Sequence, residues 1–307
     1  MNIQIQENVP LAPMTTFGIG GPARFFAEVQ VEEEIREAIA WAKTRNVRLL
    51  LLSGGSNILV PDEGLDALVV RLTSNEFSFA GSELEADAGC DLFQLIKAAA
   101  ERKLGGWEKL AGIPGTIGGA VRGNAGAFGP EIKDFVTRVR AFDTELCDAR
   151  QFDNNACDFS YRHSFFKDHP EWLVTRVWLT LSSVDTSLSL RLIEETIRER
   201  EKRHIQNVRA AGSFFVNPVA PQEVRGQFEK EKGIKSREGR VPAGWLIEKV
   251  GLKGARIGGA VASEQHPNYI KNDDNATAAQ VKELAQKIKD AVREKFGVEL
   301  QEEAVVL

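Results

Sequence analysis

The sequence is poor in cysteine, has no long apolar run and carries no surplus of basic residues, and each absence excludes a class of protein. Its three cysteines, Cys90, Cys147 and Cys157, fit no metal-ligand spacing, and an odd number cannot form a closed set of disulfides. No apolar run approaches the ~18 residues that a membrane-spanning helix needs. The net charge of −5 argues against a general nucleic-acid-binding protein, whose surface would be basic.

The rest of the composition is that of a cytoplasmic globular protein. The sequence is 43% apolar and 27% charged, which is ordinary for such a protein. Its 307 residues are enough for two or three domains. The N-terminus has no basic segment followed by an apolar core, so we expect no signal peptide. We therefore expect no membrane contact, no nucleic-acid partner and no bound metal.

Glycine, by contrast, is concentrated in one stretch, 110–129, which reads LAGIPGTIGGAVRGNAGAFG and holds seven glycines within eighteen residues. Glycine permits positive φ and a close approach of a ligand to the backbone, and N–H groups gathered in this way surround anions such as a phosphate or a flavin carbonyl. The stretch lacks the Lys-Ser/Thr of a P-loop and the Gly-x-Gly-x-x-Gly of the dinucleotide fold. A tight-turned connection is the alternative, but the density of glycine, with Arg122 as the sole charge, favours a ligand cradle.

Hydrophobic periodicity predicts an α+β protein of two or three subdomains with the ligand bound between them. The predicted strands are 23–29, 48–52, 68–72, 84–88, 135–142, 173–181 and 298–307. The predicted helices are 31–46, 92–103 with Asp91 as N-cap, 187–203, a surface helix within 219–239, 242–250 and 276–296. The order is βαβ-like at first, then strand-rich, and then smaller and mixed.

A second small-residue loop, Ser53-Gly-Gly-Ser-Asn57, follows the predicted strand 48–52 directly. Open α/β sheets usually bind ligands where their strands end, so small side chains and free N–H groups there indicate a binding loop. A plain turn is the alternative.

Eight segments spread from residue 15 to about residue 303 together resemble one enzyme family, the UDP-N-acetylenolpyruvoylglucosamine reductases. They are TTFGIGGPA, LSGGSNIL, LAGIPGTIGGAVRGNAGAFG, FSYRHSFFK, AGSFFVNP, PAGWLIEKVGLKG, HPNYIKNDDNATA and FGVELQEE. The resemblance implies a vanillyl-alcohol-oxidase/PCMH-type FAD-binding module of two subdomains plus a smaller substrate-binding α+β subdomain. It places these at 1–71 with 297–307, at 72–203, and at 204–296.

The resemblance also implies the reaction. It is the FAD-dependent, NADPH-driven reduction of the enolpyruvyl group of UDP-N-acetylglucosamine-enolpyruvate to the lactyl ether, which gives UDP-N-acetylmuramate for peptidoglycan synthesis. The implied partners are the UDP-sugar and NADPH, and we expect a monomer.

Site residues follow from the resemblance position by position. The implied catalytic residues are Arg162, which binds the carboxylate where charge develops, Ser213, which donates a proton, and Glu303, which polarises or hydrogen-bonds the substrate. The implied FAD-binding residues are Ser53, Gly54, Gly55, Ser56 and Asn57 around the diphosphate, and Gly112, Pro114, Gly115, Thr116, Gly118, Gly119, Asn124 and Gly126 along the isoalloxazine and ribityl side. The implied substrate-binding residues are Tyr161, Arg203, Asn217 and His266.

Two departures from the family pattern concern the substrate rather than the flavin. Val216 stands where the family commonly has a lysine, so Arg200, Lys202 or Arg203 is expected to carry the diphosphate load instead. A tyrosine-bearing insertion found in one subgroup is absent between 181 and 213. Two other functions stay open from the residues alone: a related FAD-dependent oxidase or dehydrogenase, and a nucleotide-binding regulator without chemistry.

Overall fold

A computed structural model describes residues 3–307 of the chain. These residues form two compact units: unit 1 comprises 3–9, 23–55 and 65–201, and unit 2 comprises 10–22, 56–64 and 202–307. Each unit has its own hydrophobic core. Within 3–307, no helix combines the length and the apolar character needed to cross a membrane. The same residues bring together no group of three or more His, Cys, Asp or Glu side chains placed to hold a metal ion.

The first sheet of unit 1 has four strands in the order Gln6–Pro10, Pro22–Val29, Leu65–Leu72 and Arg48–Leu52. Leu65–Leu72 pairs in parallel with Pro22–Val29 on one side and with Arg48–Leu52 on the other. Helix Glu32–Arg45 connects the outer two of these three strands, as the βαβ pattern predicts. Three glutamates in its first turn complement the helix dipole, and Asn46 ends it in the left-handed conformation.

The second sheet of unit 1 has five strands, all antiparallel. Their order is Asp148–Asp153, Val136–Asp143, Trp172–Thr180, Glu83–Asp87 and Phe77–Ala80. The sequence pattern predicts the three central strands to within about one residue but neither edge strand. Helix Leu92–Glu101 begins as predicted, because the Asp91 side chain accepts the Gln94 N–H at 2.9 Å. Further elements of this unit are the strand pair Leu104–Gly105 and Ser182–Ser183, the short helix Phe165–Asp168, and helix Thr186–Lys202, whose last residue lies in unit 2.

Unit 2 is built on three helices, Gln222–Lys232, Ala243–Lys249 and Ala278–Phe296. The last is confirmed as the long amphipathic helix, with a Thr277–Gln280 capping box at its start and Gly297 at its end. A small antiparallel sheet joins Arg256–Ile257, Ala260–Ala262 and Ile270–Asn272.

The predicted terminal strand 298–307 is wrong over most of its length. Only Val305–Val306 is a strand, paired in parallel with Ile58–Leu59. Val298 and Leu300 are buried in the core of unit 2, so their alternation reflects packing without a sheet.

The division into three subdomains stays a prediction. Its first boundary, at 71/72, falls at the end of strand Leu65–Leu72, after which the chain enters the second sheet of unit 1.

Candidate active site

The glycine stretch of unit 1 contains a short helix that its composition does not predict. This helix, Ile117–Arg122, is called the cradle helix below. It begins because the Thr116 hydroxyl accepts the Gly119 N–H at 3.3 Å. Ile117, Gly118, Ala120 and Val121 are buried, whereas Gly119 is exposed.

The two adjacent glycines of the cradle helix, Gly118 and Gly119, have different structural roles. A Cβ at Gly118 would come within 2.7 Å of the Cβ of Ala88, so this glycine is required by packing against unit 1 itself. A Cβ at Gly119 would meet only the hydroxyls of Ser53 and Thr116, at 3.5 and 3.7 Å, which are ordinary contacts. Gly119 therefore leaves a surface open that the protein does not fill.

The binding loop after strand Arg48–Leu52 contacts the glycine stretch within unit 1. The hydroxyls of Ser53 and Thr116 are 2.5 Å apart. A Cβ at Gly54 would lie 2.8 Å from the Cα of Gly115, so only glycine lets the two backbones approach this closely. The two segments that the sequence singles out separately are thus parts of one structure.

Several backbone donors at this contact are unused. The N–H groups of Gly54, Gly55, Gly115 and Thr116 donate to no acceptor among residues 3–307. Gly55 and Gly115 both have positive φ, at 62° and 108°. Clustered free N–H groups on a backbone without side chains are the arrangement that binds phosphate anions. The residues present therefore fit the diphosphate of FAD.

Asn124 supports the cradle from within. It is fully buried, and its amide donates to Glu131 Oε2 at 2.9 Å and to the Ser160 carbonyl at 2.7 Å. Its Oδ1 accepts the Lys133 N–H at 3.3 Å. Both ends of this side chain are therefore occupied by contacts within unit 1, and the Asn124 N–H donates to the Val121 carbonyl at 3.2 Å.

Arg162 is anchored to the glycine stretch by its guanidinium. Nη2 donates to the Gly126 carbonyl at 2.7 Å and Nη1 to the Asn124 carbonyl at 3.4 Å. Glu131 lies 3.7 Å from Nη1, and the guanidinium also lies over the Tyr161 ring, 5.1 Å from its centre. The side chain keeps 21% of its surface exposed. The positive charge is therefore held in place by the backbone of the glycine stretch, with part of its surface exposed.

In unit 2, backbone hydrogen bonds tie the segment of Ser213 to that of Glu303. Gly212 turns the chain with a φ of 71°, and the following Phe214 and Phe215 are buried. The Glu303 N–H donates to the Phe214 carbonyl at 2.8 Å. Phe215 also forms an antiparallel bridge with Glu302. Glu303 is thus hydrogen-bonded to the residue that directly follows Ser213, although the two segments are far apart in the sequence.

Asn57 adds a third segment to this arrangement in unit 2. Its Nδ2 donates to the Glu303 carbonyl at 3.0 Å, and its own carbonyl accepts the Val305 N–H at 2.9 Å. Asn57, which the resemblance places around the FAD diphosphate, thus has one N–H of its side-chain amide occupied by the backbone of Glu303.

The predicted substrate-binding residues are divided between the units. Tyr161 belongs to unit 1, and Arg203, Asn217 and His266 belong to unit 2. Burial lowers the pKa of His266, and the nearby charge of Arg203 lowers it further, so the imidazole is neutral at pH 7. Asn217 Oδ1 accepts the Ala243 N–H at 3.0 Å, at the start of helix Ala243–Lys249.

Comparisons with known proteins identify the family. A family model described as the C-terminal domain of UDP-N-acetylenolpyruvoylglucosamine reductase matches residues 203–307, and an FAD binding domain model matches 23–145. A UDP-N-acetylenolpyruvoylglucosamine reductase from Solibacter usitatus is 38% identical over 98% of this chain and 96% of its own length. The chain belongs to this family. A Pseudomonas aeruginosa reductase of the same name is 36% identical over 99% of both chains.

A solved structure supports the same assignment. The crystal structure of UDP-N-acetylenolpyruvylglucosamine reductase from Thermus caldophilus matches with a TM-score of 0.77 at 32% identity, covering 100% of this chain and 99% of that one. The α+β fold with an FAD-binding module is therefore confirmed, and this member of the reductase family is an FAD-dependent oxidoreductase. The full-length similarity to reductases sets aside the two alternatives, a nucleotide-binding regulator and a related FAD-dependent oxidase or dehydrogenase.

Sequence reasoning did not single out two polar residues that the structure places beside the predicted site residues. Glu131 contacts Arg162, and Asn268 contacts the segment after Ser213. Asn268 lies in the HPNYIKN segment. The feature of the sequence that could have indicated it is a short polar side chain just before Tyr269 and Ile270.

Proposed function

We propose that Arg162, Ser213 and Glu303 are the residues with which this reductase converts the enolpyruvyl group of UDP-N-acetylglucosamine-enolpyruvate into the lactyl ether of UDP-N-acetylmuramate, for peptidoglycan synthesis. The observation that carries the proposal is the hydrogen-bonded pairing of the Ser213 and Glu303 segments. The backbone positions that carry a hydroxyl and a carboxyl group, from distant parts of the sequence, are kept close together there. Such convergence of polar residues is expected at an active site.

The glycine-rich part of unit 1 would hold the cofactor. The N–H groups of Gly54, Gly55, Gly115 and Thr116 would bind the FAD diphosphate, and the open face at Gly119 would lie against the cofactor. The chemistry that FAD supplies when bound is hydride transfer, from NADPH to the terminal carbon of the enolpyruvyl group.

Arg162 stabilises the charge that this addition creates. Electron density moves from the double bond onto the substrate carboxylate, which gains negative charge in the transition state. A guanidinium offers two parallel N–H donors to a carboxylate, and Arg162 is already fixed by two backbone carbonyls. A fixed cation aimed at developing charge lowers the barrier because it needs no reorganisation during the step. Glu303 would hydrogen-bond or polarise the same group.

Ser213 completes the reaction by transferring its hydroxyl proton to the carbon that carries the ether oxygen. A new C–H bond forms there as the electron pair returns from the carboxylate, and the serine oxygen regains a proton from solvent. A neutral donor suits this role, because it places no additional charge beside the anionic substrate.

The remaining residues would bind the UDP-sugar. Arg203 supplies a cation for the diphosphate, in place of the lysine replaced by Val216. Tyr161, Asn217 and the neutral His266 supply hydrogen bonds to the sugar or the uridine. Under this proposal the enzyme works as a monomer in the cytoplasm.

The two half-reactions test the proposed role of Ser213. In anaerobic rapid mixing, Ser213→Ala should be reduced by NADPH at close to the wild-type rate. Its reoxidation by the enolpyruvyl substrate should slow by ~10²–10⁴-fold, as is typical when a positioned acid is lost. Ser213→Cys should retain part of the rate, since a thiol can also donate.

A turn serine without a chemical role predicts a different result. Its replacement by alanine would lower stability by ~0.5–2 kcal/mol and leave turnover per folded molecule unchanged. Reoxidation of Ser213→Ala within about threefold of the wild type would remove Ser213 from the mechanism.

A further inference from the structure

Asn268 holds the backbone that carries Ser213. Its side chain is 3% exposed and makes a two-way contact with Phe215. Oδ1 accepts the Phe215 N–H at 3.0 Å, and Nδ2 donates to the Phe215 carbonyl at 2.8 Å. The backbone carbonyl of Asn268 also accepts the Phe214 N–H at 2.7 Å. One residue therefore satisfies three polar groups in the two positions that follow Ser213.

This contact is one of two sets of hydrogen bonds that hold the backbone after Ser213 from opposite sides. On the other side the Phe214 carbonyl accepts the Glu303 N–H at 2.8 Å, and the Val216 N–H donates to Gln301 at 2.9 Å. Phe214 and Phe215 are about 1% exposed, so water cannot replace a lost partner. The backbone on the C-terminal side of Ser213 is therefore fixed from both sides, whereas the Ser213 hydroxyl makes no hydrogen bond among residues 3–307.

The turn that carries Asn268 also carries His266. The Ser263 hydroxyl accepts the N–H groups of Gln265 and His266, both at 3.3 Å, and the Tyr269 N–H donates to the His266 carbonyl at 2.8 Å. A predicted substrate contact and the support of the predicted proton donor thus lie two residues apart on one ordered turn.

We propose that Asn268 is a positioning residue that holds the Ser213 hydroxyl in place for proton transfer. The inference rests on the proposed role of Ser213. A side-chain amide can imitate a neighbouring strand by presenting a donor and an acceptor side by side, and it can do so at a point where no strand runs. Proton transfer depends steeply on geometry, and a misplacement of about 1 Å can cost ~10²-fold in rate.

A double-mutant cycle separates this role from general stability. Asn268→Ala should slow reoxidation by the enolpyruvyl substrate by ~10–10²-fold, leave reduction by NADPH unchanged and raise the solvent deuterium isotope effect on reoxidation. In the Ser213→Ala background the same substitution should cause no further loss beyond about twofold, because residues that act as a unit are not additive. Asn268→Asp, which keeps the acceptor for the Phe215 N–H and replaces the donor to the Phe215 carbonyl with a carboxyl oxygen, serves if the alanine variant does not fold.

Asn272 is the matched control. It is also a buried amide of unit 2, 4% exposed, whose Oδ1 accepts the Ala276 N–H at 2.8 Å and whose Nδ2 donates to the Phe17 carbonyl at 3.1 Å. Asn272→Ala should lower the melting temperature but leave the isotope effect and the reoxidation rate per bound flavin unchanged.

The outcomes distinguish the two proposals. Equal effects at Asn268 and Asn272, or full additivity of Asn268→Ala with a slow Ser213→Ala, would overturn the positioning role alone. A Ser213→Ala enzyme that reoxidises normally would overturn the proposed role of Ser213, and the positioning role of Asn268 with it.

Discussion

The two units differ in the polar groups that they make available for catalysis. The glycine-rich part of unit 1 has N–H donors that no acceptor among residues 3–307 uses, and it has an open face at Gly119. We therefore expect a bound ligand to accept these hydrogen bonds. In unit 2 the backbone that follows Ser213 is paired with Asn268 on one side and with the segment 301–303 on the other, whereas the Ser213 hydroxyl makes no hydrogen bond among residues 3–307. Under the proposed function, the first region binds the cofactor and the second supplies one proton.

Electrostatics follows the same contrast. Unit 1 offers the fixed charge of Arg162, moderated by Glu131 at 3.7 Å. The described part of unit 2 offers a neutral hydroxyl at Ser213 and, from His266, a neutral imidazole. Under the proposed function, the cation that binds the reacting carboxylate lies in unit 1 and the proton donor lies in unit 2, and substitutions at either residue should slow reoxidation by substrate more than reduction by NADPH.

The largest expected effect comes from filling the open face of unit 1. Gly119→Val should abolish or greatly weaken FAD binding, because its branched side chain would occupy the space that the cofactor needs. The protein itself has room at this position and Gly119 is not at positive φ, so the fold should survive. Flavin absorbance per mole of purified protein, together with circular dichroism, measures both.

Gly226→Val is the control for that substitution. Gly226 lies in helix Gln222–Lys232 of unit 2, is exposed, and has no heavy atom within 4 Å of an added Cβ. Its flavin content should equal that of the wild type. A folded Gly119→Val protein with stoichiometric FAD would show that the cradle is assigned to the wrong residues.

A smaller effect is expected from Arg162→Lys, which keeps the positive charge at this position of unit 1 but loses the two parallel N–H donors of the guanidinium. Reoxidation by substrate should slow by ~10²–10³-fold, the cost typical of removing one donor aimed at developing charge. Reduction by NADPH should change little. Arg140→Lys, in the Arg140–Glu32 pair of the same unit, is the control. Equal losses in both half-reactions of Arg162→Lys would indicate general damage at the flavin instead.

Glu131→Gln should strengthen substrate binding, in contrast to the loss of rate expected from Arg162→Lys. The carboxylate beside Arg162 partly neutralises the guanidinium, while a glutamine at this position can still accept a hydrogen bond from the Asn124 amide. Its removal should lower the KM for the enolpyruvyl substrate by up to about fivefold, or ~1 kcal/mol, the upper range for a partly exposed pair. An unchanged or higher KM would mean that Glu131 serves to orient Arg162 rather than to moderate its charge.

How much of this could be read from the sequence depends on how local each feature is. Some strands of unit 1 have side chains that alternate between apolar and polar or that are continuously apolar. These strands are confirmed to within a few residues, because the side-chain pattern of each segment determines its structure. The cradle helix was missed because glycine has low helix propensity, and packing of Gly118 against Ala88 outweighs that propensity. Strand Phe77–Ala80 was missed because it is four residues long and mostly exposed.

The site shows the same limit. Both glycine-rich segments were identified from their residues, since unusual backbone conformation leaves a compositional trace. The pairing of Phe214 with Glu303 and the support from Asn268 leave no such trace, because they join segments separated by more than fifty residues. Long-range hydrogen bonds are decided by the whole fold, and only the family resemblance anticipated Ser213 and Glu303 together.

The smallest predicted effect concerns stability and should be confined to unit 1. Glu32 accepts hydrogen bonds from Arg140 at 2.7 and 2.9 Å. This bonding to Arg140 holds the pKa of Glu32 below its ordinary value of 4.5, against the opposing effect of burial. A carboxyl group whose pKa is lower in the folded protein stabilises the fold above its unfolded pKa, and the gain is lost as pH falls through the folded value. Because the pair is partly exposed, Glu32→Gln should cost only ~1 kcal/mol at pH 7.

Hydrogen exchange resolved by segment measures that cost in the two units separately. At pH 7, Glu32→Gln should speed exchange in helix Glu32–Arg45 and strand Val136–Asp143, which carry the two partners, and leave helix Ala278–Phe296 of unit 2 unchanged. The difference between variant and wild type should shrink as pH falls from 4.5, the ordinary pKa of a glutamate, through the lower pKa of Glu32 in the folded protein. A difference that persists in acid would assign the cost to lost packing at residue 32 rather than to its charge, and faster exchange in unit 2 would show that the two units do not respond separately.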